Sequence, residues 1–176
     1  MPRRSFNLTC SIARTLEIVG ERWSLLVLRD MWARGPLRFD QLQRSLKVAR
    51  NILTDRLDTL VEGGVVERRL YQTRPDRYQY YLSDTGKELV PALMLLLNWG
   101  DRHLAGRAGP PMLLHHRDHD HLADPVTVCR VCGDELNIET LEPVPGPGAP
   151  KRPARKPAAA GKAAAPRKAA ASRQSA

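Results

Sequence analysis

The chain has 176 residues and a formal net charge of +9, enough for one ordinary domain with appendages and a core of moderate size. Eight cations and no acids follow Pro143, so the rest of the chain carries only +1; the basic tail suits a polyanionic partner, and elsewhere the positions of individual arginines decide. Three cysteines exclude a disulfide scaffold and point to a reduced compartment, and Val90 to Leu97, the most apolar run, is too short to span a membrane.

No secretory signal is expected, because Pro2-Arg3-Arg4 is followed by Ser5-Phe6-Asn7 rather than an apolar run, and a cytoplasmic protein is expected. From Cys10 to Val19, Ile12, Leu16 and Val19 recur at helical spacing, with Gly20 ending the helix. Trp23 to Ala33 is apolar on more than one side and is predicted to be the central buried helix, broken by Gly35-Pro36. Leu37-Arg38-Phe39 suffices for a minimal strand. Asp40 to Leu46 gives a short helix with Leu42 and Leu46 inward, and Lys47-Val48-Ala49 turns into the next.

The stretch from Val48 to Leu82 organises the rest. Leu53, Leu57, Leu60 and Val61 share one helical face, with Asn51, Asp55, Asp58, Thr59 and Glu62 on the other. Gly63-Gly64 ends this helix, since glycine tolerates the left-handed turn that follows a helix C-terminus. Val65 to Tyr71 and Tyr78 to Leu82 carry the β-branched and aromatic residues of strands, and Gln72 to Arg77 form the tip between them, with Arg74 and Arg77 flanking Pro75-Asp76. Two short helices, the second with exposed polar residues, followed by a basic hairpin, have the shape of a winged DNA reader.

Ser83 is a good N-cap, and Lys87 to His103 resumes helical spacing with apolar residues around most of the circumference. Such a helix needs burial on two sides, and a second copy of the chain supplies it, so a homodimer is expected. Pro91 inside this helix is predicted to kink it. A Gly/Pro-rich linker, 106–111, leads to a His- and Cys-bearing module. From Pro143 on, Pro, Ala, Lys and Arg without periodicity are expected to be disordered. The predicted domains are thus 1–105 for reading and dimerisation, 106–142 for linker and module, and 143–176 for the tail. The fold class is mostly α with a small β hairpin, a dimeric winged helix-turn-helix with a zinc-knuckle-like extension.

Cys10-Ser11-Ile12, Gly20-Glu21-Arg22-Trp23, Leu37-Arg38-Phe39-Asp40-Gln41-Leu42, Leu53-Thr54-Asp55-Arg56-Leu57, Gly64-Val65-Val66, Arg74-Pro75, Tyr80-Tyr81-Leu82-Ser83-Asp84-Thr85-Gly86 and Trp99-Gly100, in this order, resemble the HxlR family of bacterial transcriptional regulators, relatives of the MarR group. The resemblance runs from about Cys10 to His103. It implies a dimer that binds an operator as a two-fold unit. The helix near Arg50 would enter the major groove, the hairpin tip touch backbone or minor groove, and the first and last helices build the dimer. Ala49 stands where a capping serine is expected.

On this reading Arg50, Asn51, Thr54, Asp55 and Arg56 are the candidate base and backbone contacts of the reading helix. Arg74 and Arg77 on the hairpin and Arg38 before the first short helix are further DNA contacts. Asp55 accepts from a cytosine amino group, while Asp58 and Glu62 repel phosphate and restrict groove entry to the N-terminal half. Cys10 matches a position that family members use for redox sensing; the alternative is a thiol packed in the dimer interface.

Cys129-Arg130-Val131-Cys132-Gly133 has zinc-knuckle spacing, and the other ligands of a structural zinc are sought among His116, His119 and His121. Through the resemblance, His119 falls where relatives have a cysteine and His121 on their histidine. Trp23, Trp32 and Trp99 read as core, with a small-effector pocket as the alternative. The tail resembles linker-histone tails and suits non-specific attraction to DNA.

No H-x-E with P-C-x-x-C, Gly-rich phosphate loop or nucleophile elbow is present, so an enzyme is not expected. The leading expectation is a sequence-specific, homodimeric transcriptional repressor on a pseudo-palindromic operator. The alternative is a nucleoid-associated, architectural DNA-binding protein.

Overall fold

The computed structural model describes residues 5–149. Its first helices are α1 (Ser11–Val19) and α2 (Ser24–Arg34), followed by β1 (Leu37–Arg38), α3 (Phe39–Leu46) and α4 (Arg50–Glu62). The hairpin strands are β2 (Val66–Thr73) and β3 (Asp76–Leu82), and α5 (Asp84–Glu88) and α6 (Val90–Leu104) follow. After a short 3-10 turn, β4 (His115–His116) and β5 (His121–Leu122) form a small separate hairpin.

The main sheet has the order β1-β3-β2, with Leu37 opposite Tyr80 and Val66 opposite Leu82, both pairings antiparallel. This register places β1, which leads into the helix pair, directly on the inner strand of the hairpin, so the wing is hydrogen-bonded to the segment that starts the reader. Val27, Leu28 and Met31 of α2, Leu42 and Leu46 of α3, Leu53, Leu57 and Leu60 of α4, and Leu37, Val66 and Tyr80 of the sheet form a single buried core. The i, i+4, i+7 spacing in α4 thus faces α2 and the sheet, leaving Asn51, Thr54, Asp55 and Asp58 exposed.

Local signals explain the helix ends. Ser83 Oγ accepts from the Gly86 amide at 3.0 Å and donates to the Gly64 carbonyl at 2.6 Å, which ties the start of α5 to the end of α4. Gly64 adopts φ +70, the left-handed turn expected after α4, whereas Gly63 remains right-handed at φ −74. Ala49 precedes α4 with no side-chain cap.

Three expectations need correction. Pro91 lies in the first turn of α6, where a missing N–H is harmless, because the predicted continuous helix is divided at Leu89 into α5 and α6; it is not an interior kink. The hairpin ladder continues through Gln72 opposite Arg77 and Thr73 opposite Asp76, so the tip is Arg74-Pro75 alone and Arg77 belongs to a strand. Trp99 is 52% exposed and beside His103 rather than in the core, while Trp23 and Trp32 are half-buried. Among the described residues no helix is long and apolar enough to cross a membrane. The basic tail from Lys151 on lies outside the described residues.

Candidate nucleic-acid interface

The N-terminal turn of α4, the start of α3 and the wing converge on a cleft of about 480 Å³. Arg38, Phe39, Arg50, Tyr71, Arg77, Tyr78 and Tyr80 are among its lining residues, with Asp40 and Asp76. Each element brings its residue for a local reason. Arg38 ends β1 opposite Gln79, and its amide donates to Gln41 Oε1 at 2.8 Å, which starts α3 at the next residue. Its guanidinium lies 4.5 Å from the centre of the Tyr71 ring on the far strand β2, so the side chain reaches across the sheet. Arg50 opens α4 and stacks over Phe39, the first residue of α3, at 4.9 Å. Stacking on an aromatic face holds an arginine in place and leaves its N–H edge free for an acceptor.

Several arginines are committed to ion pairs, and those of the cleft are not. Arg29, Arg44 and Arg69 are matched to Asp30 at 2.6 Å, Asp40 at 2.9 Å and Glu67 at 2.7 Å. Among the described residues, Arg38, Arg50, Arg74 and Arg77 have no carboxylate within ion-pair distance. These four are exposed and lie along the cleft or at the wing tip. An arginine edge without an internal partner is available to phosphate or to the guanine edge.

Asn51 and Thr54 are exposed beside Arg50, although the Thr54 hydroxyl donates to the Arg50 carbonyl at 3.0 Å. Asp55 is exposed on the same face. Arg56 is the exception. Its side chain is only 17% exposed and is held by Glu21 at 3.3 Å and Asp55 at 3.6 Å, so it is turned inward along α4 rather than offered to a groove. Helix spacing alone did not reveal this because the partner, Glu21, comes from a distant turn. The sequence places Phe39, Tyr71, Tyr78 and Tyr80 in strands; the closeness of arginines and aromatic residues in the hairpin is the available signal for a stacking surface.

Cys10 is an exposed free thiol at the N-terminal boundary of α1. In the extension, His116 and His121 face each other across β4 and β5, and His119 from the intervening turn joins them, with ring centroids 4.4 to 5.9 Å apart. His116 Nδ1 is buried without a hydrogen-bond partner. The cysteine knuckle forms separately: the Gly133 amide donates to the Cys129 carbonyl at 2.8 Å, and Gly133 has φ +83. The amides of Cys132 and then Val131, together with the Cys132 thiol, hydrogen-bond to the Cys129 sulfur and hold its pKa below the ordinary thiol value. Among the described residues no group of three or more His, Cys, Asp or Glu side chains is arranged to hold a metal ion.

A buried helix pair whose second member presents its polar N-terminal face beside an arginine-bearing antiparallel hairpin defines a winged helix-turn-helix protein. The chain belongs to the HxlR-like helix-turn-helix family, whose profile matches residues 18–107. It is 43% identical over 138 residues to the uncharacterized HTH-type transcriptional regulator Rv3095 of Mycobacterium tuberculosis, covering 78% of this chain and 87% of that one.

Among solved structures it is similar to PA1607, a candidate transcription factor, with a TM-score of 0.70 and 31% identity over 78% of this chain and 96% of that one. The reduced form of the redox regulator HypR matches with a TM-score of 0.50 and 26% identity, over 53% of this chain and 92% of HypR. The chain is accordingly a DNA-binding, HTH-type transcriptional regulator, not an enzyme.

Proposed function

We propose that this regulator acts as a homodimeric repressor that reads a pseudo-palindromic operator with the N-terminal half of α4. The sugar-phosphate backbone would pass along the cleft between α4 and the wing. The observation that carries this reading is the convergence on that cleft of Arg38, Arg50 and Arg77, all exposed and, among the described residues, without a carboxylate within ion-pair distance. In this role Arg50 and Asn51 read base edges, and Arg38, Arg74 and Arg77 neutralise phosphates. Asp58, exposed further along α4, repels phosphate and limits how deep the helix enters.

Dimerisation is supported by apolar side chains left open on the two terminal helices. Ile12 and Leu16 on α1, and Leu96 and Trp99 on α6, are exposed, more apolar surface than a lone monomer usually shows to water. Two reading heads related by a two-fold axis account for a palindromic site.

Selection of bound fragments from the source genome, followed by competition against random duplex, tests the reading. The expected result is a preference of several orders of magnitude for one fragment, a dimer mass by light scattering, and a reporter downstream of that fragment that is silenced. Equal affinity for every duplex favours the architectural alternative, which the eight cations of the tail support. In that case truncation after Pro143 removes most of the affinity and flattens the salt dependence.

A further inference from the structure

The reading helix is tied at two points to α1 and the turn that follows it. Arg56 Nη1 lies 3.3 Å from Glu21 Oε2, and Glu21 stands in the turn that joins α1 to α2. At Gly63, which closes α4, a Cβ would come within 2.6 Å of Ile18 Cγ2, so Ile18 of α1 packs directly on the end of α4 and any larger residue there must displace it. Arg56 and Gly63 are separated by about two helical turns and share one flank of α4, about 10 Å apart along its axis. Two anchors at that spacing fix both the height and the rotation of a rigid rod. The exposed readers Asn51, Thr54 and Asp55 lie on a different face.

We propose that Glu21 and Arg56 are positioning residues for operator reading: with the Ile18–Gly63 contact, their ion pair braces α4 at the angle at which its first turn enters the groove. This rests on the DNA-reading role proposed above. Arg56 is largely shielded from solvent, so its guanidinium is committed to the brace, with Asp55 at 3.6 Å as its second acceptor. A tilt of α4 costs base-edge contacts, which demand alignment, far more than it costs phosphate contacts made by long flexible side chains. Loss of the brace therefore reduces sequence discrimination while non-specific affinity stays.

The test uses the full-length protein, the operator fragment it selects and a random duplex, with anisotropy titrations across salt concentrations. Glu21→Gln removes a negative charge, so electrostatics alone would tighten binding to both duplexes. The brace predicts the opposite on the operator, a loss of about tenfold, the size of one lost base contact, with random-duplex affinity no weaker than that of the wild type. Arg56→Met shows the same pattern, and the exchange pair Glu21→Arg with Arg56→Glu restores preference to within about threefold.

The proposal is overturned if Glu21→Gln binds the operator as tightly as the wild type or more so. It is also overturned if Arg56→Met weakens both duplexes equally and lowers the salt slope by about one, the signature of a direct phosphate contact. If Arg56→Met does not fold, Glu21→Gln decides alone, since that side chain is 66% exposed. A wild type that prefers no duplex removes the DNA-reading role itself, an outcome distinct from any behaviour of the variants.

Discussion

The winged region and the extension after α6 are built on opposite physical terms. In the first, apolar residues at helix and strand periods meet in one place, and Leu28, Leu42, Leu53 and Leu60 have no exposed surface. In the second, Leu113, Leu122, Val126, Val128, Val131, Ile138 and Leu141 are all exposed, and Val131 reaches 95%. The extension has no core of its own and leans on α6, where Asn98 donates to Asp124 Oδ1 at 2.9 Å and to the Pro125 carbonyl at 3.2 Å. Leu97, Asp101 and Arg102 of α6 share a groove there with Leu113, Leu114 and Leu122. A periodic pattern of apolar residues gives a self-supporting fold; the same residue types without a period give a segment held by polar clasps.

The largest effect that can break this comparison is on stability. Leu53→Ala removes a fully buried side chain from the face of α4 that meets α2 and the sheet, at a cost of about 2–5 kcal/mol. Ile138→Ala, at a side chain 87% exposed, is expected to change stability by less than about 0.5 kcal/mol. Urea unfolding of the two variants gives the contrast; equal midpoints would mean that the extension has a hidden core or that the winged region lacks one.

Next in size is the division among the arginines. Arg50→Ala is expected to cost about 1–3 kcal/mol of operator binding, and Arg38→Ala to lower the salt slope by about one. Arg44→Ala, which removes an exposed ion pair with Asp40, should leave operator binding within about 0.5 kcal/mol of wild type and the salt slope unchanged. If Arg44 and Arg50 prove equivalent, the cleft is not the DNA face.

The winged region was legible in the sequence because its signals are local and redundant. Leu53, Leu57 and Leu60 announce their face, Ser83 announces its cap, and Leu37-Arg38 supplies the minimal strand. What could not be read depended on partners distant in the chain. Arg56 looked like any exposed helical arginine until Glu21, 35 residues earlier, was placed beside it. Pro91 reads as a kink because the apolar spacing runs on across Leu89, although a proline in the first turn equally marks a helix start. Trp99 was assigned to the core on residue type alone, although the apolar residues of α6 exceed what one chain can cover. In the extension, spacing marked the knuckle and the histidines separately but held no information on whether they meet.

A smaller effect tests whether the polar clasp holds the extension. Asn98→Ala deletes both hydrogen bonds to Asp124 and Pro125, each of which contributes about 1 kcal/mol to local docking. Hydrogen exchange should rise across residues 113–125 and stay unchanged in α2 and α4. Uniform protection in wild type and variant would show that the apolar contacts with Leu97 suffice without the clasp.

The smallest expected effect concerns the other end of the chain, where Phe6 and Leu8 are exposed and a polar clasp again substitutes for a core. Glu17 Oε1 accepts from the Ser5 hydroxyl at 2.7 Å and from the Phe6 amide at 2.9 Å. These bonds, the Ser5 hydroxyl foremost, hold the Glu17 carboxyl below its ordinary pKa. Because the shift is downward, the clasp is complete above the usual glutamate range and is lost as pH falls through the lowered value. The Phe6 amide resonance should therefore titrate at a pH below that of an unperturbed glutamate and cease to titrate in Glu17→Gln, with no change in global unfolding. An inflection at the ordinary value would show that segment 5–8 is not held by Glu17 and that α1 begins without an anchor.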